Sequence, residues 1–152
     1  MFETLVKESI GKRISILFRL SMINFRNEMK KLGFGAGDYA FLAVLFLNEG
    51  LSQDELSRRM RVDKSYTARA LAKLEKGKMV ERRPDPVEHR IKRVFLGERA
   101  LENKINFFKI VLTWHNALVK DIEEDDLEII RSGMDKMINN AETHLDLEET
   151  NK

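Results

Sequence analysis

The charged side chains of this chain are distributed unevenly, and the positive ones are concentrated in one segment. Residues 58–93 hold 13 Lys and Arg against 5 Asp and Glu, whereas the whole chain of 152 residues has a formal net charge of only +2. The remaining residues are therefore net acidic. Lysine and arginine neutralise the phosphates of duplex DNA, and acidic flanks limit non-specific adhesion elsewhere. The charge pattern predicts that this segment binds duplex DNA.

Groups for acid–base, nucleophilic or metal chemistry are not gathered in the sequence. The chain has no Cys, and its histidines, His89, His115 and His144, are far apart. No His-x3-His pair, glycine-rich phosphate loop or Ser/His/Asp grouping occurs. The acidic run 121–126 lacks the ligand spacing of a calcium loop. The sequence therefore predicts a protein that is not an enzyme and that holds no metal and no cofactor.

The basic segment has the spacing of two short helices joined by a tight turn. Ser52 and Glu55 form a capping box that begins a helix ending near Met60. Asp63 is a suitable N-cap for a second helix extending to residue 76, and Gly77 is expected to end that helix in the left-handed conformation. Two helices connected in this way allow one to rest on the DNA backbone while the other enters the major groove.

The second of these helices, residues 63–76, is the candidate reader of base edges. Ser65, Tyr66 and Arg69 lie near its N-terminal half, where base edges would be reached. A serine can donate or accept a hydrogen bond, and an arginine can hold guanine with two hydrogen bonds. For Tyr66, a packing role is about as well supported by the sequence as a base contact.

Other polar side chains of the two helices suit the phosphates. Lys64 and Lys73 are predicted to hold the DNA backbone, and Gln53 at the start of the first helix could add a phosphate contact. The residues predicted to face inward from the second helix are Thr67, Ala70, Leu71 and Leu74.

A β-hairpin is predicted after the second helix. Residues 78–83 and 91–96 have the β-branched, alternating character of strands, and the prolines at 84 and 86 exclude a helix between them. The protruding tip holds His89 and Arg90, and an arginine on a stiff loop can enter a narrow minor groove. Glu88 is expected to pair with Arg90 and orient it. The basic residues that flank the tip and could hold the DNA backbone are Arg82, Arg83, Lys92 and Arg93.

Helical periodicity occurs on both sides of this basic module. Apolar residues recur at helical spacing over residues 4–31, 98–120 and 127–145, and Asp38 would cap an apolar helix over residues 38–48. The fold class predicted is mainly α, of the α+β type. We predict an N-terminal dimerisation helix and linker at 1–36, a DNA-binding domain at 37–97, C-terminal dimerisation helices at 98–147 and a flexible tail at 148–152.

The sequence also bears on location and on small ligands. No signal peptide and no run of 18 apolar residues occurs, so a cytoplasmic protein without a membrane partner is expected. Phe18, Tyr39 and Phe46 could line a ligand pocket between the first helix and the DNA-binding domain, although a role in the aromatic core is the more common one for such residues.

Two stretches carry a resemblance to a known family. Residues 74–82 read LEKGKMVER and residues 85–97 read DPVEHRIKRVFLG. The chain resembles the MarR family of winged helix-turn-helix transcriptional regulators over nearly its whole length. Glu88 stands where that family usually has Asp, and Gly97 stands where it usually has Thr, which caps the next helix better than Gly does.

The resemblance implies a homodimer in which the terminal helices interlock and each subunit presents one winged helix to a pseudo-palindromic operator. It also implies that a small aromatic or anionic effector can release the DNA. The apolar faces of the terminal helices agree with a homodimer, because interleaving with a second copy would cover them. The sequence thus predicts a dimeric, sequence-specific DNA-binding regulator, most often a repressor in such families. The alternative is a winged-helix adaptor that binds another protein and not DNA.

Overall fold

The structure is a computed structural model that describes residues 2–35 and 37–145. Its helices are α1 (Phe2–Glu8), α2 (Ile10–Lys31), α3 (Asp38–Leu47), α4 (Gln53–Met60), α5 (Lys64–Lys76), α6 (Glu98–Glu102), α7 (Lys104–Val119) and α8 (Glu124–His144). Its strands are β1 (Leu51–Ser52), β2 (Val80–Pro84) and β3 (Lys92–Leu96). This mainly helical architecture confirms the predicted fold class. The tail predicted at 148–152 lies outside the described residues.

The chain separates into two compact units. Residues up to Trp114 form the first unit, which contains the helices and strands from α1 to α6 and most of α7. Residues from His115 onward form the second unit, which contains α8. The division predicted from the sequence, at 36/37 and 97/98, stays a prediction. In the two ranges that the structure describes, no helix is long and apolar enough to cross a membrane.

The helix-turn-helix consists of α4 and α5, and both of its predicted N-caps are present. The hydroxyl of Ser52 accepts a hydrogen bond from the Glu55 amide at 3.1 Å, and the Glu55 carboxylate accepts one from the Ser52 amide at 2.6 Å. The carboxylate of Asp63 accepts from the Tyr66 amide at 2.7 Å. Arg61 turns the chain between the helices with a left-handed φ of 52°. Local sequence signals therefore determine where both helices begin.

The inward-facing side chains of α5 pack that helix against the core. Thr67, Leu71 and Leu74 are all buried, as the sequence predicts, and Ala70 is partly buried. The Ser57 hydroxyl of α4 donates to the Thr67 hydroxyl at 2.9 Å in the interior, which fixes the two helices against each other. A buried hydroxyl pair of this kind is stable because each group has a partner.

The predicted hairpin is present and belongs to a three-stranded antiparallel sheet with the order β1-β3-β2. We call residues 80–96, which comprise β2, β3 and the tip between them, the wing. Strand β1 was not predicted, because two residues are too short to show a periodic pattern. Pro84 pairs with Lys92 at the end of β2 rather than lying in the tip. Proline fits there because β2 is an edge strand, where a missing amide leaves no ladder bond unmade.

Three helix boundaries differ from the prediction. The helix expected over 4–31 is interrupted at Ser9, whose hydroxyl caps α2 by accepting from the Lys12 amide at 3.2 Å. The helix expected over 98–120 is divided at Asn103 into α6 and α7. Asp38 is the first residue of α3 and not its N-cap, which is Gly37. The Asp38 carboxylate instead accepts from the amide of Gly35 at 2.5 Å.

The end of α5 also differs from the prediction. Gly77 has an ordinary φ of −80°, and the left-handed residue is Lys78, with φ 59°. The amides of Lys78 and Met79 bind the carbonyls of Glu75 and Leu74, at 3.0 and 2.9 Å, so that the last turn is closed by backbone groups.

Gly97 is placed against this left-handed turn. A Cβ added to Gly97 would collide with the backbone carbonyl of Lys78, so glycine is required by a close approach of two chain segments. The structure thus gives a steric reason for a glycine at position 97.

The hydrophobic core of the first unit lies between α3, α5, the sheet and α7. Its fully buried side chains include Phe41, Leu42, Leu45, Leu56, Leu71, Val80, Val94 and Phe107. Because this core contacts the inner faces of both α5 and the sheet, the outer faces of those elements remain available.

Candidate nucleic-acid interface

The outer face of α5 carries the side chains that the sequence singles out. Ser65, Tyr66 and Arg69 are exposed there, on the opposite side of the helix from the buried Leu71. Tyr66 is 42% exposed as a residue, and its ring stacks on Phe41, with 6.0 Å between ring centroids. Tyr66 therefore packs at its base while its outer edge remains accessible, so the two roles considered for it are compatible.

The two lysines of α5 have intramolecular partners. The Lys64 ammonium lies 2.8 Å from the Asp54 carboxylate, and both side chains are well exposed. The Lys73 ammonium lies 3.1 Å from the Asp38 carboxylate, which is largely buried. The first pair is easily opened by a competing phosphate, because exposed ion pairs contribute little. The second pair differs from the first because its carboxylate, that of Asp38, is largely buried.

The wing is organised around Asp85, which is buried although the tip around it is exposed. Its carboxylate accepts from the amides of Val87 and Glu88 at 2.8 and 2.9 Å and forms an ion pair with Arg93. The Glu88 amide, Arg93 and the Val87 amide lower the pKa of Asp85 to about 2. Arg93 also donates to the Gly50 carbonyl at 2.8 Å. Asp85 and Arg93 thus fix the base of the tip to the chain before β1.

The ion pair expected between Glu88 and Arg90 is not present within residues 2–35 and 37–145, so that prediction is wrong. The reason is that the backbone of the tip folds around Asp85, and Arg93 provides the cation. Arg90 and His89 lie on the exposed surface of the tip. The structure therefore leaves Arg90 accessible, while a different acid and a different arginine fix the loop that carries it.

The remaining arginines of the wing differ in how far they are engaged. Arg82 forms two side-chain hydrogen bonds, at 2.6 and 3.0 Å, to the carboxylate of Glu75 at the end of α5. These bonds hold the pKa of Glu75 below its usual value. Arg83 contacts Glu81 at 2.8 Å and lies over the Phe95 ring at 4.6 Å from its centroid. Arg82 is therefore a structural tie between α5 and the wing, whereas Arg83 remains exposed.

A cleft of about 520 Å³ separates the start of α4 from the wing, and it brings together two predicted site residues that are distant in sequence. Gln53 lines one wall and Arg90 the other, with Arg58 and Lys92 nearby. Asp54 and Glu55 also line the cleft, and the Ser52 amide holds the pKa of Glu55 below its usual value. Arg58, Arg90, Lys92 and Arg93 give the cleft four basic side chains against two acidic ones, and this excess of positive charge suits a phosphate.

The three aromatic residues predicted to form a ligand pocket do not contact one another. Phe18 is 64% exposed on α2. Tyr39 stacks on Phe25 at 3.9 Å between centroids, and burial raises the pKa of its phenol. Phe46 packs against the ring of Phe107 at 4.9 Å. No ring contact among the described residues joins any two of these three predicted residues, so the pocket stays a prediction without support from the geometry.

The sequence reasoning missed the two ties that fix the wing, Asp85–Arg93 and Glu75–Arg82. A signal for the first was present. An Asp followed by Pro, with free amides two and three residues later, is typical of a side chain that accepts bonds from its own turn. The second tie had no local signal, because its members lie on different elements.

Comparisons with known proteins agree with this geometry. The model of the MarR family matches residues 32–91, from the loop before α3 to the wing tip. The crystal structure of a MarR transcriptional regulator from Methanosarcina mazei Go1 is 32% identical, covers 88% of this chain and 96% of that chain, and superposes with a TM-score of 0.81. This chain belongs to the MarR family of transcriptional regulators. Members of the MarR family are regulators and not enzymes, which confirms the prediction that this chain is not an enzyme.

Two other MarR-type relatives extend the comparison. The uncharacterized HTH-type transcriptional regulator YybA of Bacillus subtilis (strain 168) is 33% identical over 72 residues, which are 47% of this chain and 48% of that protein. The match thus spans about half of that relative's length. A putative MarR family regulator from Listeria monocytogenes, solved in complex with a 26mer DNA, is 20% identical and covers 95% of this chain and 97% of that chain, with a TM-score of 0.85. This second likeness shows a shared MarR fold.

Proposed function

We propose that this MarR family protein is a sequence-specific duplex-DNA-binding repressor that acts as a homodimer. The observation that carries the proposal is the division of α5 into two faces. Thr67, Leu71 and Leu74 are buried, while Ser65, Tyr66 and Arg69 are exposed on the opposite side. A helix seated in this way can enter a major groove without losing its own core contacts.

The wing supplies a second contact in this proposal. Arg90 is exposed on a loop whose base is fixed by Asp85 and Arg93. A fixed loop loses little entropy when it binds, and a narrow minor groove attracts arginine. The Listeria neighbour in complex with DNA supports the assignment of this fold to a DNA-binding role.

A homodimer is proposed because both units expose apolar helical faces. On α2 the exposed apolar residues include Ile10, Ile14, Leu17 and Phe18, and on α8 they include Ile130, Met134 and Ile138. Their spacing of three or four residues places each set along one side of its helix. Association with a second copy would remove this apolar surface from water.

The proposal includes release from DNA by a small aromatic or anionic effector. A spectroscopic reporter is built into the first unit, because Trp114 is the chain's single tryptophan and its indole donates to Ser21 at 3.1 Å. Binding of a phenolic acid near α2 or α3 should change the fluorescence of Trp114 and weaken DNA binding at the same concentrations. A fluorescence change without an effect on DNA binding would contradict the effector role.

The test of the main proposal is a gel shift at about 150 mM salt, where surface charge is screened as in a cell. The probe is the duplex immediately upstream of the protein's own coding region, compared with random duplex of equal length. Binding that resists an excess of random competitor would support a specific repressor. If neither this duplex nor any sequence selected from a random pool is retained, the proposal fails and the adaptor hypothesis takes its place.

A further inference from the structure

Lys73 lies on the exposed side of α5, yet its ammonium is directed to an acid outside the helix-turn-helix. That acid is Asp38, 35 positions earlier in the chain, at a distance of 3.1 Å. The Asp38 side chain is only 10% exposed and also accepts from the Gly35 amide at 2.5 Å. We call Gly35, Asp38 and Lys73 the linker clasp, because they join α5 to the loop that leads from α2 into α3.

Gly35 is closely fitted to the other two members of the linker clasp. A Cβ at Gly35 would collide with the Lys73 ammonium and would lie 2.6 Å from the Asp38 carboxylate. The lysine head therefore rests directly over the backbone of the loop. The Lys73 side chain is 63% exposed, so the buried Asp38 carboxylate is the fixed member of the linker clasp and the lysine head is held by it.

The burial of Asp38 makes this pair different from the other lysine pair of α5. Lys64 and Asp54 are 73% and 55% exposed, and both lie within the helix-turn-helix. Among the ion pairs of the described residues, Lys73 is the cation that compensates Asp38. Loss of Lys73 would leave the buried Asp38 carboxylate without its cation, whereas loss of a fully exposed pair changes little.

We propose that Lys73 is a positioning residue that fixes the angle between α5 and the linker from α2, and so sets the spacing of the two reading helices in the dimer. This inference rests on the proposed function, and it replaces the phosphate contact predicted for Lys73. A dimer reads half-sites about 10 base pairs apart, so each helix must be held at a defined distance and rotation from its copy. The linker clasp is placed where such a constraint is needed, between the helix with the apolar face and the helix that reads.

The experiment measures tolerance to half-site spacing with the full-length chain. A tight duplex is selected from a random pool by the wild type, and versions with one base pair inserted or deleted at its centre are prepared. The variants are Lys73→Met, Asp38→Asn and both together, with Lys64→Met as the matched control. Thermal unfolding followed by circular dichroism checks that each variant is folded. Asparagine is chosen at position 38 because it preserves the shape of the aspartate side chain while removing its charge.

The wild type and Lys64→Met should lose about tenfold or more in affinity for the altered duplexes, comparable to a mismatched base pair. The three variants of the linker clasp should bind all three duplexes with nearly equal affinity. Their dependence on salt should match the wild type, because no phosphate contact is removed. The double variant should be no more tolerant than either single variant, because one pair is broken in each case.

Different outcomes overturn different statements. If Lys73→Met keeps the wild-type spacing preference and lowers the salt slope by about one per half-site, Lys73 is a phosphate contact and the inference is wrong. If Asp38→Asn behaves as the wild type while Lys73→Met does not, the linker clasp does not act as a pair, and the inference is likewise wrong. If the wild type retains no duplex from the pool, the proposed function itself fails and this inference with it.

Discussion

Helix α5 and the tip of the wing are held in place by different forces. Helix α5 is seated by Leu71 and Leu74, which have almost no exposed surface. The wing tip buries little apolar surface and is fixed by Asp85, by the amides around it and by Arg93. Apolar packing does not depend on pH, whereas the ties of the wing require ionised carboxylates. Helix α5 and the wing tip should therefore lose their structure under different conditions.

The largest effect is expected where α5 meets the core. Leu71→Ala should lower the free energy of unfolding by about 2–5 kcal/mol, because it removes buried methyl groups and leaves a cavity. Urea unfolding followed by circular dichroism measures this loss. The neighbouring Ala72 is exposed, so Ala72→Ser serves as the control and should change the free energy by about 0.5 kcal/mol or less. Equal losses for both variants would mean that the core does not seat α5.

The next effect concerns binding and not stability. Arg90→Ala should weaken binding to the selected operator by about 1–3 kcal/mol per half-site, because a contact in the groove is lost. The free energy of unfolding should not change, since Arg90 is exposed. Fluorescence anisotropy with labelled duplex measures the affinity. Val87→Ala is the matched control, because Val87 is 91% exposed on the same tip and carries no charge. If Arg90→Ala binds the duplex as tightly as Val87→Ala does, Arg90 does not contact the DNA.

Acid should weaken the wing tip without weakening the packing of α5. The pKa of Asp85 is about 2 in the folded chain against an ordinary value of 3.8, so the folded state binds its proton less tightly than the unfolded state does. Its contribution to stability is present above the ordinary value and is lost as the pH falls toward 2. Urea unfolding at a series of pH values should show this decline in the wild type and a shallower decline in Asp85→Asn. Identical slopes would show that the Asp85 tie does not depend on its charge.

The smallest effect is expected at the exposed pair of Lys64 and Asp54. Lys64→Met should change the free energy of unfolding by about 1 kcal/mol or less, because solvent and salt screen an exposed pair. Its effect on DNA should appear as a lower salt slope, measured by anisotropy over a range of salt concentrations. A large loss of stability with an unchanged slope would assign Lys64 to the fold and not to a phosphate.

Sequence reasoning was effective where the signal was local. The capping box at Ser52 and Glu55 and the cap at Asp63 each involve residues three apart, so their chemistry is visible in a short stretch. The burial of Thr67 and Leu71 followed from helical spacing. The hairpin followed from alternation and proline. In each case the energy that determines the structure arises between near neighbours.

Some features that the sequence did not reveal are local caps within an amphipathic run, and others depend on partners that are distant in the chain. Ser9 and Asn103 interrupt helices that periodicity alone would continue, because periodicity does not record a cap within an amphipathic run. Asp38 resembles a helix cap in the sequence, but its carboxylate is used by Gly35 and Lys73. Arg93 and Asp85 are eight residues apart and meet only when the tip has folded. Long-range pairing of this kind requires the three-dimensional arrangement.

The close approach of Gly97 to Lys78 has a consequence for how such a chain can change over generations. Threonine at position 97 would improve the cap of α6, yet its Cβ has no room beside the Lys78 carbonyl while residue 78 keeps a φ of 59°. A single step to threonine would therefore be selected against, whereas the same step after a change in the turn at 78 would be tolerated. Substitutions at residues 78 and 97 should consequently covary, because the residue at one position limits which residues the other position tolerates.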